Sequence, residues 1–374
     1  INGFAPLSAA NIINPDSETG SGYWAHQYDT TFDWNSKYDL AAGPAYGYHA
    51  GGIGEPDPTY FSNVDRIDYS NDTATAVAKG PLNRNTNDPG STGNTSYGWY
   101  ASGSPGSNSD VQRLDYGNDT ATASPKGNLA EAGTNTEGVG NASYGYNNTG
   151  PAKTLVQRID FGNDTATATP KGPLTNVSYV RGAAGNQSYG YMAGGYPFNT
   201  IMNRIDYADD TATALAKGPL ANPNMYALAA AGNSSYGYFA GGGPNSYVNR
   251  LDYSNDSTTT TPKGNLSAPR SAVQGAGTAD YAYIVGGKEG GPEPVSTVDR
   301  IDYSNDTATA ATKGPLTAVR RYAVAASSRN NALPSGSTEL YTCSLSPVND
   351  GSWHNVVMTR VGGTQQTYYD GVGI

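Results

Sequence analysis

The residues of this chain that could do chemistry are mostly copies of one another. An Arg, an aliphatic residue, an Asp and an aromatic residue recur in that order, as in Arg204-Ile205-Asp206-Tyr207, and a second Asp and a Lys-Gly pair follow. The Arg and Asp of the six copies are Arg66 and Asp68, Arg113 and Asp115, Arg158 and Asp160, Arg204 and Asp206, Arg250 and Asp252, and Arg300 and Asp302. Because a catalytic group is normally needed once, this repetition predicts a structural role.

The spacing of each Arg and Asp also suggests how they act. Residues two apart in an extended strand lie on the same face, so each pair can bind itself or a neighbouring repeat. Arg suits such a contact because its planar guanidinium donates several hydrogen bonds in fixed directions. The alternative is a ring of arginines that binds a ligand.

The remaining candidates for catalysis or metal binding are few. His26, His49 and His354 lie far apart in sequence, and the single Cys343 excludes an internal disulfide and a cysteine-based zinc site. We therefore predict no enzymatic activity and no cofactor. The Asn-Asp turns after the repeated motif could hold a structural Ca²⁺, which takes carboxylate and carbonyl oxygens, although the chain lacks EF-hand spacing.

Composition and charge narrow the class of protein. The chain has 374 residues, a net charge of −10 and no evident basic patch, so nucleic acid is not an expected partner. No apolar run approaches the roughly 20 residues that span a bilayer, so no membrane insertion is expected. The many Gly and Tyr residues favour short strands and turns over helices.

The elements that position the repeated residues are predicted strands. Consecutive copies of the Arg lie 45 to 50 residues apart, a period typical of propeller blades or helical arrays. Apolar and polar residues alternate with period two, which indicates strands. Each unit contains a strand of small residues (a), a strand ending near Gly-Gly (b), the strand with the Arg (c) and a Thr-rich strand (d). We predict an all-β propeller with six four-stranded blades over residues 38–316.

Two features of the unit resemble the kelch repeat. The double Gly after strand b stands at Gly51-Gly52, Gly194-Gly195, Gly241-Gly242 and Gly286-Gly287. The aromatic of strand c is the second feature, but the family's Trp is replaced by Ala76, Ala123, Ala168, Ala214, Thr260 and Ala310. The resemblance implies a β-propeller. A copper site like that of galactose oxidase would need a Tyr–Cys crosslink, and Cys343 lies outside the repeats.

Both ends of the chain depart from the repeat. Residues 1–37 could supply a blade-closing strand, and residues 317–345 a closing strand or a linker. A seventh, composite blade built from both ends is the alternative to six. Residues 346–374 read as a β-hairpin around Gly362-Gly363. Trp353-His354 and Tyr369-Asp370-Gly371 resemble laminin-G or concanavalin-like domains, which implies glycan binding.

Length variation in the repeat points to a binding surface. The interval from the strand-b Tyr to the following Arg ranges from 14 to 20 residues, whereas the other intervals stay within one residue. Loops on a rigid scaffold often carry function. The predicted binding residues are the aromatics of these loops: Tyr60, Phe61, Tyr196, Phe198 and Tyr247. The alternative is that they only cover the blade edges.

The phrase "RIDYSNDTATA" is similar to repeats in structural proteins of marine phages, which implies a role in a virion. We predict a non-enzymatic structural or recognition module of a phage tail fibre or surface appendage, on the virion surface and within a larger homo- or hetero-oligomeric assembly. Its expected partners are other virion proteins or a glycan or protein of the host surface. The alternatives are a secreted bacterial adhesin or lectin and, more distantly, a propeller enzyme.

Overall fold

The structure is a computed structural model. It describes residues 46–150, 153–197, 199–243 and 245–327, together with short strands between residues 356 and 373. Residues 42–338 form one compact unit, in which six antiparallel sheets of four strands follow one another. In each sheet the hydrogen-bonded order is a, b, c, d. The predicted all-β propeller with six blades is confirmed.

The innermost strand of each blade, strand a, consists almost entirely of small residues. These side chains allow the six strands to lie side by side around one axis, and each contacts the strands a of both neighbouring blades. From blade 1 to blade 6 the strands a are Val324–Ser327, Gly90–Gly93, Glu137–Gly140, Gly182–Gly185, Ala229–Gly232 and Gln274–Gly277.

Strands b and c form the centre of each sheet. In five blades the second residue of strand b is Gly (Ala282 in blade 6). Gly190, for example, leaves room for the aromatic residue that follows strand c: a Cβ there would lie 2.6 Å from the Tyr207 hydroxyl. The strands b are Tyr46–Ala50, Tyr97–Ala101, Tyr144–Asn148, Tyr189–Ala193, Tyr236–Ala240 and Tyr281–Val285. The strands c are Val64–Asp68, Val111–Asp115, Val156–Asp160, Met202–Asp206, Val248–Asp252 and Val298–Asp302.

Strand d is short and lies at the outer edge of the blade. The strands d are Val77–Lys79, Ser124–Lys126, Thr169–Lys171, Leu215–Lys217, Thr261–Pro262 and Ala311–Lys313. In five blades a 3₁₀ turn precedes strand d: Tyr69–Asn71, Tyr116–Asn118, Phe161–Asn163, Tyr253–Asn255 and Tyr303–Asn305. The strand-c Asp caps this turn, as where Asp252 accepts a hydrogen bond from the Ser254 backbone N–H at 2.9 Å.

The first blade closes the ring with a strand from the other end of the repeats. Val324–Ser327 pairs antiparallel with Tyr46–Ala50 and becomes strand a of blade 1. The composite blade is therefore the first of six and not a seventh. Its closing strand falls in segment 317–345, beyond the span 38–316 drawn from the sequence. Residues 1–37, considered for the same role, lie outside the described residues.

Two long b–c loops carry extra pairings. Ile53–Gly54 pairs with Thr59–Tyr60 in blade 1, and Arg270–Ser271 pairs with Lys288–Glu289 in blade 6. Near the end of the chain, Val356–Val361, Thr364–Tyr369 and Val372–Gly373 form a three-stranded antiparallel sheet, which contains the predicted hairpin. None of the helical segments in the described part of the chain could span a membrane.

The core of the propeller lies between adjacent blades. The Leu after each Lys-Gly pair is at most 3% exposed. The third residue of strand b stacks on the aromatic residue that directly follows strand c of the next blade, with ring centroids 3.9 to 5.1 Å apart in all six junctions. These stacks repeat around the ring, including the pair Tyr283 and Tyr69 that joins blade 6 to blade 1.

Candidate binding face

The propeller has two chemically different faces. The a–b and c–d turns emerge on one side, the turn face, and the b–c and d–a connections emerge on the other, the loop face, because the four strands run antiparallel in order. The turn face repeats the same Asn- and Asp-capped turns. At Asn94, for example, the side-chain oxygen accepts hydrogen bonds from the Ser96 and Tyr97 backbone N–H groups. The loop face differs from blade to blade.

The six repeated arginines all lie at junctions between blades. Each donates to a carboxylate on the c–d turn of the next blade at 2.7 to 2.9 Å. The partners are Asp119, Asp164, Asp210, Asp256, Asp306 and, for Arg300, Asp72 of blade 1. The same carboxylates accept from a Lys at or just after the end of strand d and from a strand-b Tyr or Trp. Each junction therefore joins four side chains: the Asp, the Arg, the Lys and the Tyr or Trp.

Five of the six junction carboxylates are stabilised in their charged form. Burial alone would raise the pKa of Asp119, but hydrogen bonds from Lys79 and Tyr48 and the positive charge of Arg66 outweigh it and lower that pKa. The pKa values of Asp72, Asp210, Asp256 and Asp306 are lowered against burial in the same way. Each Arg also lies over the first Tyr of its own strand b, at 3.9 to 4.5 Å from the ring centroid. These guanidinium groups are thus engaged within the fold.

The second member of each predicted pair has another partner. Asp68, Asp115, Asp160, Asp206, Asp252 and Asp302 accept backbone N–H hydrogen bonds in their own c–d turns at 2.9 to 3.0 Å. The Arg and Asp two residues apart therefore do not pair with each other. Each Arg instead contacts the second Asp of the next blade's repeat. That residue lies four positions after the Asp that caps the turn, as Asp119, the partner of Arg66, lies after Asp115.

The structure places the predicted loop aromatics in different surroundings. Tyr60 and Phe61 are half-buried in blade 1. The Phe61 ring fills the space beside Gly54, where a Cβ would lie 2.3 Å from it. Tyr196 and Tyr247 are 40% and 37% exposed on the loops of blades 4 and 5. Phe198 lies outside the described residues.

Tyr196 belongs to a group of aromatic rings on the loop face. Its ring lies 5.4 Å from the ring of Tyr179 and 6.4 Å from that of Tyr226, measured between centroids. Tyr179 and Tyr226 come from the d–a connections that enter blades 4 and 5. We refer to Tyr179, Tyr196 and Tyr226 as the tyrosine cluster. It presents aromatic surface next to the start of the innermost strands.

A ring of backbone in an unusual conformation surrounds the axis on the same face. The residue two positions before each strand a has a positive φ, between 47° and 55°. These residues are Asp88, Asn135, Val180, Ala227, Ala272 and Tyr322. This left-handed region costs a non-glycine residue roughly 1–2 kcal/mol. Backbone hydrogen bonds offset the cost by linking neighbours around the ring, as from Asp88 N–H to the Tyr322 carbonyl at 2.9 Å and from Tyr322 N–H to the Ala272 carbonyl at 3.0 Å.

A cavity, the axial pocket, lies at this ring. It is a small, partly open cleft with about 10 Å³ of space for a water-sized group, and its polar lining includes Asp88, Asn135, Glu137, Arg181, Gln274 and Tyr322. On the side of blades 4 to 6 the lining is mainly aliphatic, from residues such as Val180, Ala227 and Val273. The pocket therefore has a polar side and an apolar side, although the six blades around it are copies of one unit.

Both acidic side chains of the axial pocket, Asp88 and Glu137, have raised pKa values. Burial raises the pKa of Asp88 to about 7, opposed by a hydrogen bond from the Asn135 amide at 2.8 Å. Burial, followed by the negative charge of Asp88, raises the pKa of Glu137 well above its usual range, and Arg181 only partly opposes this. Burial also lowers the pKa of Arg181 to about 10. All three residues lie in or next to strands a of blades 2 to 4.

The axial pocket and two members of the tyrosine cluster were missed by reasoning from loop lengths. The d–a connections are nearly constant in length, so they gave no signal of that kind. Their composition does vary: at the position before the left-handed residue the six blades carry Asn87, Thr134, Tyr179, Tyr226, Ser271 and Arg321. A comparison of residue types at fixed repeat positions would have identified this part of the face.

Comparisons with known proteins support the fold. No family model matches the chain, and no curated protein matches its sequence. A solved structure described as "Structure of YjhT" is similar, with a TM-score of 0.56, 11% identity, and coverage of 73% of this chain and 98% of that one. At this level of identity the similarity concerns the fold alone.

Proposed function

We propose that this kelch-like propeller is a non-enzymatic recognition module that binds a glycan or a protein through its loop face. The observation that carries the proposal is the tyrosine cluster, in which Tyr196 is 40% exposed and packs against Tyr179 and Tyr226. Tyrosine offers a large contact area with few rotamers to restrict on binding. Its ring can stack on the C–H face of a sugar, while its hydroxyl bonds to polar groups.

The distribution of charge supports a binding role rather than a catalytic one. The repeated Arg and Lys residues and the second Asp of each repeat are committed to the junctions, where that Asp accepts from both cations, as Asp119 does from Arg66 and Lys79. The turn face offers the same capped turns in each blade and so gives a partner little to distinguish. The loop face differs between blades in loop length, in its aromatic residues and in the lining of the axial pocket, which is what selective binding requires.

The setting that we propose is a phage virion, with the propeller on a tail fibre or surface appendage that attaches to the host. The similarity of "RIDYSNDTATA" to repeats of marine phage structural proteins supports this setting, and the laminin-G-like stretch near the end of the chain favours glycan binding. Its partners would be other virion proteins and a host-surface glycan or protein. A secreted bacterial adhesin or lectin is the second candidate, since the same face would serve it.

The proposal is tested by replacing the cluster and measuring binding on a glycan array and on candidate host cells. We expect the triple variant Tyr179→Ser, Tyr196→Ser, Tyr226→Ser to lose at least tenfold in binding, because the stacking surface is removed. Leu215→Ser, on strand d and 53% exposed, is the matched control and should bind like the wild type. Unchanged binding by the triple variant, or equal loss in the control, would reject the loop face as the binding surface.

A further inference from the structure

One buried aspartate, Asp88, differs from the other buried aspartates of the described residues in having no positively charged partner. Nine aspartates of the described residues are buried. Six of them are the junction carboxylates, each paired with an Arg and a Lys. Asp65 pairs with Arg320 and Asp299 with Arg270, at 2.9 and 2.8 Å, in fully buried ion pairs. Asp88 is the ninth, and within the described residues no cation lies within ion-pair distance of it.

The Arg that lines the same pocket is already engaged. Arg181 is 2% exposed, and its guanidinium donates to the Asn148 side chain at 2.6 Å and to the Asn176 carbonyl at 2.9 Å. It forms no ion pair with Asp88 or Glu137 among the described residues. A buried carboxylate without a counter-charge is costly, so this arrangement lacks a positive charge that the other buried aspartates have.

The axial pocket lies beside Asp88 and offers space for such a positive charge. Asp88 and Glu137 both line the axial pocket, and Asp88 occupies the ring position that is filled by Val180, Ala227 and Ala272 in other blades. The two acids therefore lie where the repeat is broken and where space is left. Its space for a water-sized group, about 10 Å³, is close to the roughly 10–15 Å³ that a single water needs, so it suits one small functional group of a larger ligand.

We propose that the axial pocket binds a protonated amino group, with Asp88 and Glu137 as its counter-charges. The inference rests on the proposed function, in that the amino group belongs to the ligand recognised by the loop face. The partly buried ring of Tyr322 lines the same pocket, and aromatic rings attract organic cations. Calcium fits less well because it takes six to eight oxygen ligands, and the described residues contain no group of three or more acidic, His or Cys side chains that could hold a metal.

Binding should depend on pH through the groups that face the pocket. The raised pKa values of Asp88 and Glu137 mean that these carboxyl groups hold on to their protons at higher pH than usual. A nearby ammonium group favours the charged carboxylates, so its binding releases those protons. Arg181 keeps its charge over this range, and burial raises the pKa of Tyr322, with the charge of Asp88 as the next cause. Affinity for an amine that stays protonated should therefore increase between pH 6 and pH 8.

The test uses ethanolamine as the amine and ethylene glycol as its neutral counterpart, titrated at low ionic strength into the full chain and followed by amide NMR. Ethanolamine should shift the side-chain amides of Asn135 and Gln274 saturably, and ethylene glycol should not. Asp88→Asn and Glu137→Gln should each weaken binding at least fivefold. The exposed Glu293→Gln is the matched control and should leave it unchanged.

Three results would overturn the inference: equal shifts with ethylene glycol, no effect of either pocket variant, or saturable binding of CaCl₂ at these amides without binding of ethanolamine. Dispersed amide spectra of each variant establish that it is folded. The triple tyrosine variant should still bind ethanolamine, because none of its changed residues supplies a counter-charge. Failure of the pocket and failure of the loop-face proposal are therefore separate outcomes.

Discussion

His49 illustrates how one unrepeated residue can set the pH response of the fold. It lies fully buried in strand b of blade 1, and within the described part of the chain neither ring nitrogen has a hydrogen-bond partner. Burial, assisted by the charge of Arg320, lowers its pKa from 6.5 to about 3. The equivalent positions of blades 4, 5 and 6 hold Met192, Phe239 and Ile284, which cannot titrate.

We predict that His49→Met removes an acid sensitivity of the fold. Because the folded-state pKa is below the unfolded value, neutral His49 is compatible with folding above pH 6.5, and stability is lost as the pH falls towards 3. At pH 5 the loss amounts to about 2 kcal/mol. Denaturant unfolding at pH 7.5 and pH 5 should show a smaller decrease in unfolding free energy for the variant than for the wild type. Equal decreases in the two proteins would contradict this account of His49, since the other two histidines are common to both.

The junctions link each blade to the next and so join the six repeats into a ring. Asp256 at the end of the blade 5 turn accepts from Arg204, Lys217 and Tyr191 of blade 4 at 2.8 to 3.0 Å. Asp252, at the start of the same turn, only caps it by accepting from Ser254. Two aspartates four residues apart thus have different tasks, one between blades and one within a turn.

We predict that Asp256→Asn destabilises the protein by about 2 kcal/mol, because it removes the charge from a largely buried site with two cationic partners. Asp252→Asn should cost less than about 0.5 kcal/mol, since Asn caps as well as Asp. Denaturant unfolding of both variants at pH 7 measures the difference. The gap should begin to narrow below about pH 4, where the unfolded chain takes up protons, and it should be lost as the pH falls through the lowered pKa of Asp256. A larger effect from Asp252→Asn would assign the inter-blade role to the wrong carboxylate.

The sequence predicted the elements more fully than the contacts between them. Alternation with period two and the constant interval from Arg to Leu specify strands c and d, because both are local properties of the chain. The Arg partner could not be chosen in the same way, since each repeat offers two Asp residues and the correct one lies in the next blade. Likewise, Tyr196 was identified from its loop, but its neighbours Tyr179 and Tyr226 are 17 and 30 residues away in sequence and meet it only in the folded ring.

At the scale of the whole molecule, the propeller combines a repeated frame with the axial pocket, which lies at one end of its axis. The frame is closed by Val324–Ser327 in blade 1 and by the junction of Arg300 with Asp72. Closure brings six d–a connections together at one end of the axis, where unlike residues from separate repeats share one cavity. A chain of identical repeats would make this end symmetric. The departures from identity at Asp88, Glu137, Tyr179 and Tyr226 are the positions at which we propose that a ligand is distinguished.

The central claim, that ligands bind on the loop face around the axis, is tested most directly by hydrogen exchange with and without the strongest glycan found on the array. The prediction is slower exchange in the segments that enter strands a, such as residues 86–90, 133–137 and 178–182, and no change in the a–b and c–d turns. Protection confined to the Asn- and Asp-capped turns would contradict the account, because it would place the ligand on the turn face.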